Sequence, residues 1–297
     1  MIGDLEAGSQ QRLFVSIGDG DVAVLRFGRA GAPPMLFAHA NGFCASAYRR
    51  MFLALSDQFD VFAVDLRGHG RTRLPARVAG HRSMKIFGDD LRQTKAALRP
   101  LAVRHDWIIA GHSLGGVAAA LAAADDPEIA AVRLIEPVAI PKSWTLIAKT
   151  PLWPLIAPQI PLVRAAKRRR SHWPDRAAVT DSYGRKSFFS TWAEGVLSDY
   201  LDDGLVTDES GARLACEPAW EAANFAAHAN DFWGCIGRIK APVSVLGARH
   251  PTSTVSNSAE SRLKRLRARV ERVSGVTHLV PFEDPRLAAR FLAGATG

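Results

Sequence analysis

Apolar positions along the chain recur in two rhythms. Alternating or short continuous apolar runs at RLFVSI (12–17), VAVLRFG (22–28) and PMLFAH (34–39) predict three strands, the first two joined by the turn IGDGD and the third reached through RAGAPP. From Ala45 the spacing turns helical, with Tyr48, Phe52 and Leu55 on one face, and VFAVD (61–65) returns to a short buried strand. Ile86, Phe87, Leu91, Thr94 and Leu98 mark an amphipathic helix, followed by the strand DWIIAG (106–111), an alanine-rich helix from Leu114 and the strand VRLIE (132–136). Strands alternating with helices across short loops predict an α/β fold with a mostly parallel central sheet and helices on both faces.

After Pro141 the rhythm breaks for about ninety residues rich in proline, arginine and aromatics; six of the seven tryptophans lie in this stretch or at its edge. Alternation resumes at PVSVLG (242–247) and runs through the basic helix around SRLKRLRAR (261–269), the strand VERVSG (270–275) and a last helix at RLAARFL (286–292). The expected organisation is a core of residues 1–140 and 236–297 interrupted by a mainly helical cap, 141–235. No internal repeat is visible.

Composition adds limits. Of 297 residues 47% are hydrophobic and 23% charged, which suits a globular chain with a sizeable core. The net charge of +9 comes from 30 arginines and 8 lysines that are mostly scattered, with runs only at 164–170 and 261–269. Without a zinc-finger spacing, an aromatic RNP pattern or a long basic arm, solvated helix faces are the plainer reading, and no nucleic-acid partner is expected. Cys44, Cys216 and Cys235 form neither a disulfide framework nor a metal pattern, so no metal is expected, and reduced thiols with no secretory signal at the amino terminus suit a cytoplasmic protein. The apolar stretch from Ser143 to Val163 carries Lys149 and four prolines, which makes it a poor membrane span; no stable membrane insertion is expected, and the oligomeric state is left open.

The chemistry concentrates at GHSLG (111–115), set between the strand DWIIA and the helix LGGVAAALAAA. Glycines on either side let the backbone turn sharply at Ser113, exposing its hydroxyl at the carboxyl edge of the sheet, and the following helix supplies free N–H groups and its positive dipole end. That context favours a nucleophile over a plain glycine-rich turn.

With FAHANGF (37–43), DLRGHGRT (65–72), GHSLGG (111–116) and THLVPFEDP (277–285) in this order, the sequence resembles the α/β-hydrolase superfamily over nearly all of the chain outside the cap. The resemblance implies that His278, in the loop before the last helix, is the base that activates Ser113, since a serine hydroxyl is a weak nucleophile at neutral pH. It also implies an oxyanion hole made by backbone N–H groups of Leu114 and of the HANGF loop, at Asn41. Related dehalogenases use the asparagine side chain as a halide ligand, but they attack with aspartate, and here the nucleophile position is Ser113. The alternative for Asn41 is an Asn-Gly turn whose side chain stabilises the loop. His39, His69 and His112 are weaker candidates for the base; His112, inside the elbow, and His69, in the GHG turn, are assigned to packing or local hydrogen bonding.

The third member is less direct. Most of the superfamily places the acid after the seventh strand, yet VLGARHPTS (245–253) has His250 where that carboxylate would stand. A minority, dehalogenase-like branch places it after the sixth strand, and Glu136, twenty-three residues after Ser113, occupies that position. A carboxylate finishing an apolar strand costs stability unless it is paired or reaches water, so Glu136 is assigned as the acid. A Ser113–His278 dyad, an acid from the cap, an arginine partnership for Glu136 and a dead site stand as alternatives; His250 is then a second group behind the site or an ordinary loop histidine.

The expected function is a serine hydrolase acting on a carboxylic ester or similar small hydrophobic acyl compound through an acyl-enzyme, with no cofactor. Phe43, Trp144 and Trp153 are candidate pocket residues, although for any one tryptophan the plainer role is to pack the cap's own core. A lactonase, a C–C bond hydrolase, an amidase or an acyltransferase would share the same residues, and a non-enzymatic ligand-binding member of the fold is a further alternative.

Overall fold

A computed structural model describes residues 10–294. Its central sheet has eight strands: β1 (Gln10–Ile17), β2 (Gly20–Gly28), β3 (Pro34–Ala38), β4 (Asp60–Val64), β5 (Trp107–His112), β6 (Ile129–Ile135) and, after a long insertion containing three short strands, β10 (Val243–Ala248) and β11 (Arg269–Val273). The order across the sheet is β1-β2-β4-β3-β5-β6-β10-β11. β2 pairs antiparallel with β1 and β4; from β4 to β11 every pairing is parallel. Every residue of β3, β4 and β5 is buried, as expected for strands covered on both faces.

One face is covered by helices Lys85–Leu98, Leu114–Ala123 and Phe232–Arg238, the other by Arg49–Leu53 and Pro285–Ala293. The two cores they close hold, respectively, Phe62, Phe87 and Trp107, and Phe27, Phe37 and Phe52. The helical spacing seen from Ala45 resolves into a 3-10 turn, Ala45–Tyr48, that runs into the short helix Arg49–Leu53.

Between β6 and β10 the chain forms helices Lys142–Ala148, Trp153–Ile156, Pro161–Lys167, Arg176–Gly184, Val196–Gly204 and Pro218–Phe225. It also forms a small antiparallel sheet, β7-β9-β8, from β7 (His172–Trp173), β8 (Leu205–Asp208) and β9 (Gly211–Leu214). Strands of two to four residues are too short to show a period in sequence, which is why this sheet was not expected. Among the described residues no helix is long and apolar enough to cross a membrane.

Because β3, β5, β6 and β10 run parallel, the loops after Ala38, His112, Ile135 and Ala248 leave the same edge of the sheet. Each of the sequence features singled out above for chemistry, apart from the histidine loop, leaves one of these strands or its neighbour β4.

Candidate functional site

Ser113 sits at the tip of a backbone turn that only a special sequence permits. Its φ is +56°, in the left-handed region that non-glycine residues avoid, and its N–H donates to the Ile135 carbonyl at 3.0 Å, tying the turn to the end of β6. The flanking glycines are there for space. A Cβ at Gly115 would come within 2.1 Å of the Ala38 carbonyl oxygen, and one at Gly111 within 2.3 Å of the Gly115 carbonyl oxygen. The start of helix Leu114–Ala123 is thereby pressed directly against the end of β3, where the HANGF loop begins.

His278 bridges two residues that lie far apart in sequence. Its Nε2 is 3.0 Å from Ser113 Oγ and its Nδ1 is 3.0 Å from Glu136 Oε2. Glu136 is fully buried and, like Ser113, adopts a positive φ, +47°. Its own N–H donates to the Leu246 carbonyl at 2.8 Å, which continues the β6–β10 pairing one residue past the strand and aims the side chain across the sheet edge.

A buried carboxylate needs donors, and the β10 loop supplies them. Oε1 accepts from the Ala248 N–H at 2.5 Å and the Ser253 hydroxyl at 2.7 Å; Oε2 accepts from the Thr254 N–H at 2.8 Å. The Thr254 hydroxyl lies 2.8 Å from the Glu136 carbonyl and 3.2 Å from Oε2. Burial pushes the Glu136 pKa up, but the His278 contact and these donors outweigh it, so the carboxyl is held below its usual value and stays ionised. Sequence reading missed Ser253 and Thr254. The available signal was the run TST (252–254), three hydroxyl residues in the very loop that lacks the common acid.

His250 is exposed and turns away from the carboxylate: its Nδ1 contacts the Thr252 hydroxyl at 2.9 Å, and Thr252 Oγ1 accepts the His278 N–H at 3.2 Å. The neighbouring His112 is wholly buried. The Tyr48 hydroxyl accepts the Ala40 N–H at 2.9 Å and donates to His112 Nδ1 at 2.7 Å, so Nε2 carries the proton and donates to the His278 carbonyl at 2.9 Å. Burial and the adjacent His278 lower the His112 pKa to about 3, which keeps this ring neutral.

The HANGF loop is fixed from three sides. His39 Nε2 accepts the Leu66 N–H at 2.9 Å, and His69 Nε2 accepts the Gly42 N–H at 3.0 Å, so the loop's own histidine and that of the DLRGHGRT turn both act as acceptors. The Asn41 side chain donates to the Glu221 carbonyl and accepts from Asn224 Nδ2, both at 2.9 Å. Both ends of that amide are therefore used against helix Pro218–Phe225, leaving the backbone N–H of Asn41, which makes no hydrogen bond among the described residues; neither does that of Leu114. Gly42, at φ +78°, lies over Glu221, which Arg169 holds at 2.9 Å, and the Tyr200 hydroxyl donates to the Gly42 carbonyl at 3.2 Å. Arg169 is thus the one member of the basic run 164–170 drawn inward, contacting the hydroxyls of Tyr183 and Tyr200.

Phe43 follows this loop and packs against Phe282 and Tyr200, ring centroids 4.7 and 5.4 Å away. The two tryptophans pack against residues of the insertion. Trp153 is buried with Ala148 and Ala157, its Nε1 donating to the Ala226 carbonyl at 2.9 Å, and Trp144 packs edge-to-face on it.

A model of the alpha/beta hydrolase family matches residues 35–291. The chain belongs to the alpha/beta hydrolase family. Among curated proteins, 2-(acetamidomethylene)succinate hydrolase of Mesorhizobium japonicum is 34% identical over 101 residues, covering 34% of each chain. The magnesium-chelatase 30 kDa subunit of Rhodobacter capsulatus is 34% identical over 113 residues, 37% of each chain. The aligned stretch thus spans only about a third of the length of these curated relatives. The crystal structure of E-2-(acetamidomethylene)succinate hydrolase superposes with a TM-score of 0.76 at 23% identity, covering 96% of this chain and 98% of that one. An enol-lactonase from Burkholderia xenovorans gives 0.66 at 17% identity, covering 95% and 99%. At such identities the likeness establishes a shared alpha/beta hydrolase fold.

Proposed function

We propose that this alpha/beta hydrolase cleaves a carboxylic ester or similar small acyl substrate through an acyl-enzyme on Ser113. The observation that carries the reading is the continuous hydrogen-bonded chain Ser113–His278–Glu136, with both contacts of the imidazole at 3.0 Å. In the proposed cycle, His278 Nε2 takes the Ser113 proton as Oγ attacks the substrate carbonyl. Charge developing on the carbonyl oxygen is met by the Leu114 and Asn41 N–H groups, and the protonated imidazole is stabilised by Glu136. Collapse expels the alcohol, which receives the proton from Nε2; water, deprotonated by the same nitrogen, then attacks the acyl carbon, and the Oγ–acyl bond breaks as Ser113 Oγ takes the proton back and the acid leaves.

In this reading residues 141–235 serve as the cap, and helix Pro218–Phe225 fixes the oxyanion loop through Asn41 while Phe43 borders the acyl site. The residues at the site suit an ester, lactone or activated amide carbonyl equally. Turnover of nitrophenyl esters of graded acyl length by wild type and Ser113→Ala tests the proposal. A wild-type rate that falls by about a thousandfold or more in the variant supports it; equal rates would overturn it.

A further inference from the structure

The outer surface of the insertion has a composition that the proposed chemistry does not use. Its first three helices, Lys142–Ala148, Trp153–Ile156 and Pro161–Lys167, bury one side, through Ala148, Trp153, Ala157, Val163 and Ala166, against Ala222, Ala226 and their neighbours. Their other side leaves large apolar groups in the open: Trp144, Leu146, Ile147, Leu152, Leu155 and Leu162 are 40 to 73% exposed. Isolated exposed leucines need no explanation, but six within twenty residues of three consecutive packed helices do.

The charge on this segment has one sign. Between Glu136 and Asp175 the sequence holds no carboxylate side chain, while Lys142, Lys149, Arg164, Lys167, Arg168 and Arg170 are exposed. Among the described residues none of these six makes an ion pair. An apolar surface bordered by unpaired cations matches the boundary between the acyl chains and the anionic headgroups of a bilayer. A second copy of the chain fits poorly, because a two-fold contact through this face would set the same cations against one another.

We propose that this face docks the protein peripherally on anionic lipid membranes, with Leu152 and Leu155 entering the headgroup boundary and the basic residues contacting lipid phosphates. The docking is interfacial and requires no spanning helix; it stands independently of the acyl-enzyme reading.

The test uses the full chain with vesicles of phosphatidylcholine alone and vesicles containing about one-third phosphatidylglycerol. Co-sedimentation at about 0.15 M salt should show at least tenfold preference for the anionic vesicles, weakened several-fold at about 0.5 M. The Leu152→Ser/Leu155→Ser double variant should lose about tenfold in binding while keeping the wild-type melting temperature within a few degrees. Trp144 is 41% exposed whereas the other six tryptophans are at most 9% exposed, so brominated lipid should quench fluorescence in wild type and not in Trp144→Phe. Equal partitioning onto both vesicle types, or a double variant that binds as well as wild type, would overturn the proposal. So would a dimer that the double variant dissociates in the absence of any vesicle binding, which would make the face a contact between copies.

Discussion

Glu136 and His278, separated by 142 positions in sequence, meet across the sheet edge with Oε2 3.0 Å from Nδ1. The pairing answers the question raised by a carboxylate at the end of an apolar strand: the charge is buried but not unpaired. Glu136→Gln should lower kcat for an ester substrate by about a thousandfold or more, with KM little changed, because an amide neither stabilises the imidazolium nor enforces the tautomer that presents Nε2 to Ser113. Retention of nearly full activity would remove Glu136 from the proposed mechanism and favour a dyad.

The donors around the carboxylate give a graded version of the same test. Thr254→Val keeps the side-chain shape and removes the hydroxyl that contacts Glu136. An expected loss of about 1–2 kcal/mol in stability at neutral pH should accompany a roughly tenfold drop in kcat. Since the Glu136 pKa lies below its unfolded value, the stability it contributes is present above the ordinary carboxyl range and is lost as pH falls through the folded value. The denaturant midpoint of the wild type should therefore fall on acidification.

Much of this was legible in sequence, and the reasons are local. Ser113 and His278 sit in short motifs whose strand and helix flanks define their position, and Glu136 follows from the end of a strand together with the missing carboxylate near His250. What could not be read depends on contacts between distant segments. The Tyr48–His112–His278 chain joins three regions through one hydroxyl and one imidazole. Arg169 looks in sequence like its neighbours in a basic run, and only the fold sets it beside Glu221, Tyr183 and Tyr200. The exposed side of the three proline-bounded helices was likewise hidden, because short apolar runs do not reveal which face is covered.

The HANGF loop, in its proposed oxyanion role, provides a prediction about positioning. Asn224→Ala removes the donor to Asn41 Oδ1. Loosening the loop should lower kcat about tenfold and leave KM within a few-fold, since a backbone donor that meets developing charge acts mainly in the transition state. A change confined to KM would place Asn224 in substrate binding instead.

Gly115→Ala should be strongly destabilising, because the added methyl would meet backbone atoms of Ala38 and His39 that cannot move aside. An expected loss of more than about 3 kcal/mol should appear as a fall in melting temperature or as insoluble expression. A variant with unchanged melting temperature would show that the elbow and β3 are less tightly opposed.

Acidification should destabilise the fold through its buried histidines. Burial lowers His69 and His228 to about 4 and His112 to about 3, with His39 also well below its ordinary value. The unfolded chain protonates these rings below about 6.5 while the folded chain does not, so stability is fully present above that pH and is lost as pH falls. Asp65, raised by burial and by Asp203 to about 6, acts in the opposite sense over a narrower range. With four such histidines against Asp65, net proton uptake on unfolding is expected near pH 5. Denaturant midpoints measured across that interval should fall steadily; midpoints independent of pH would contradict the buried neutral rings.

The central claim, an acyl-enzyme on Ser113, is tested most directly by mass spectrometry after reaction with a serine-directed phosphonate. One adduct per chain is expected, mapped to the peptide containing Ser113 and absent from Ser113→Ala. No adduct, or an adduct on another serine that persists in the variant, would contradict the assignment.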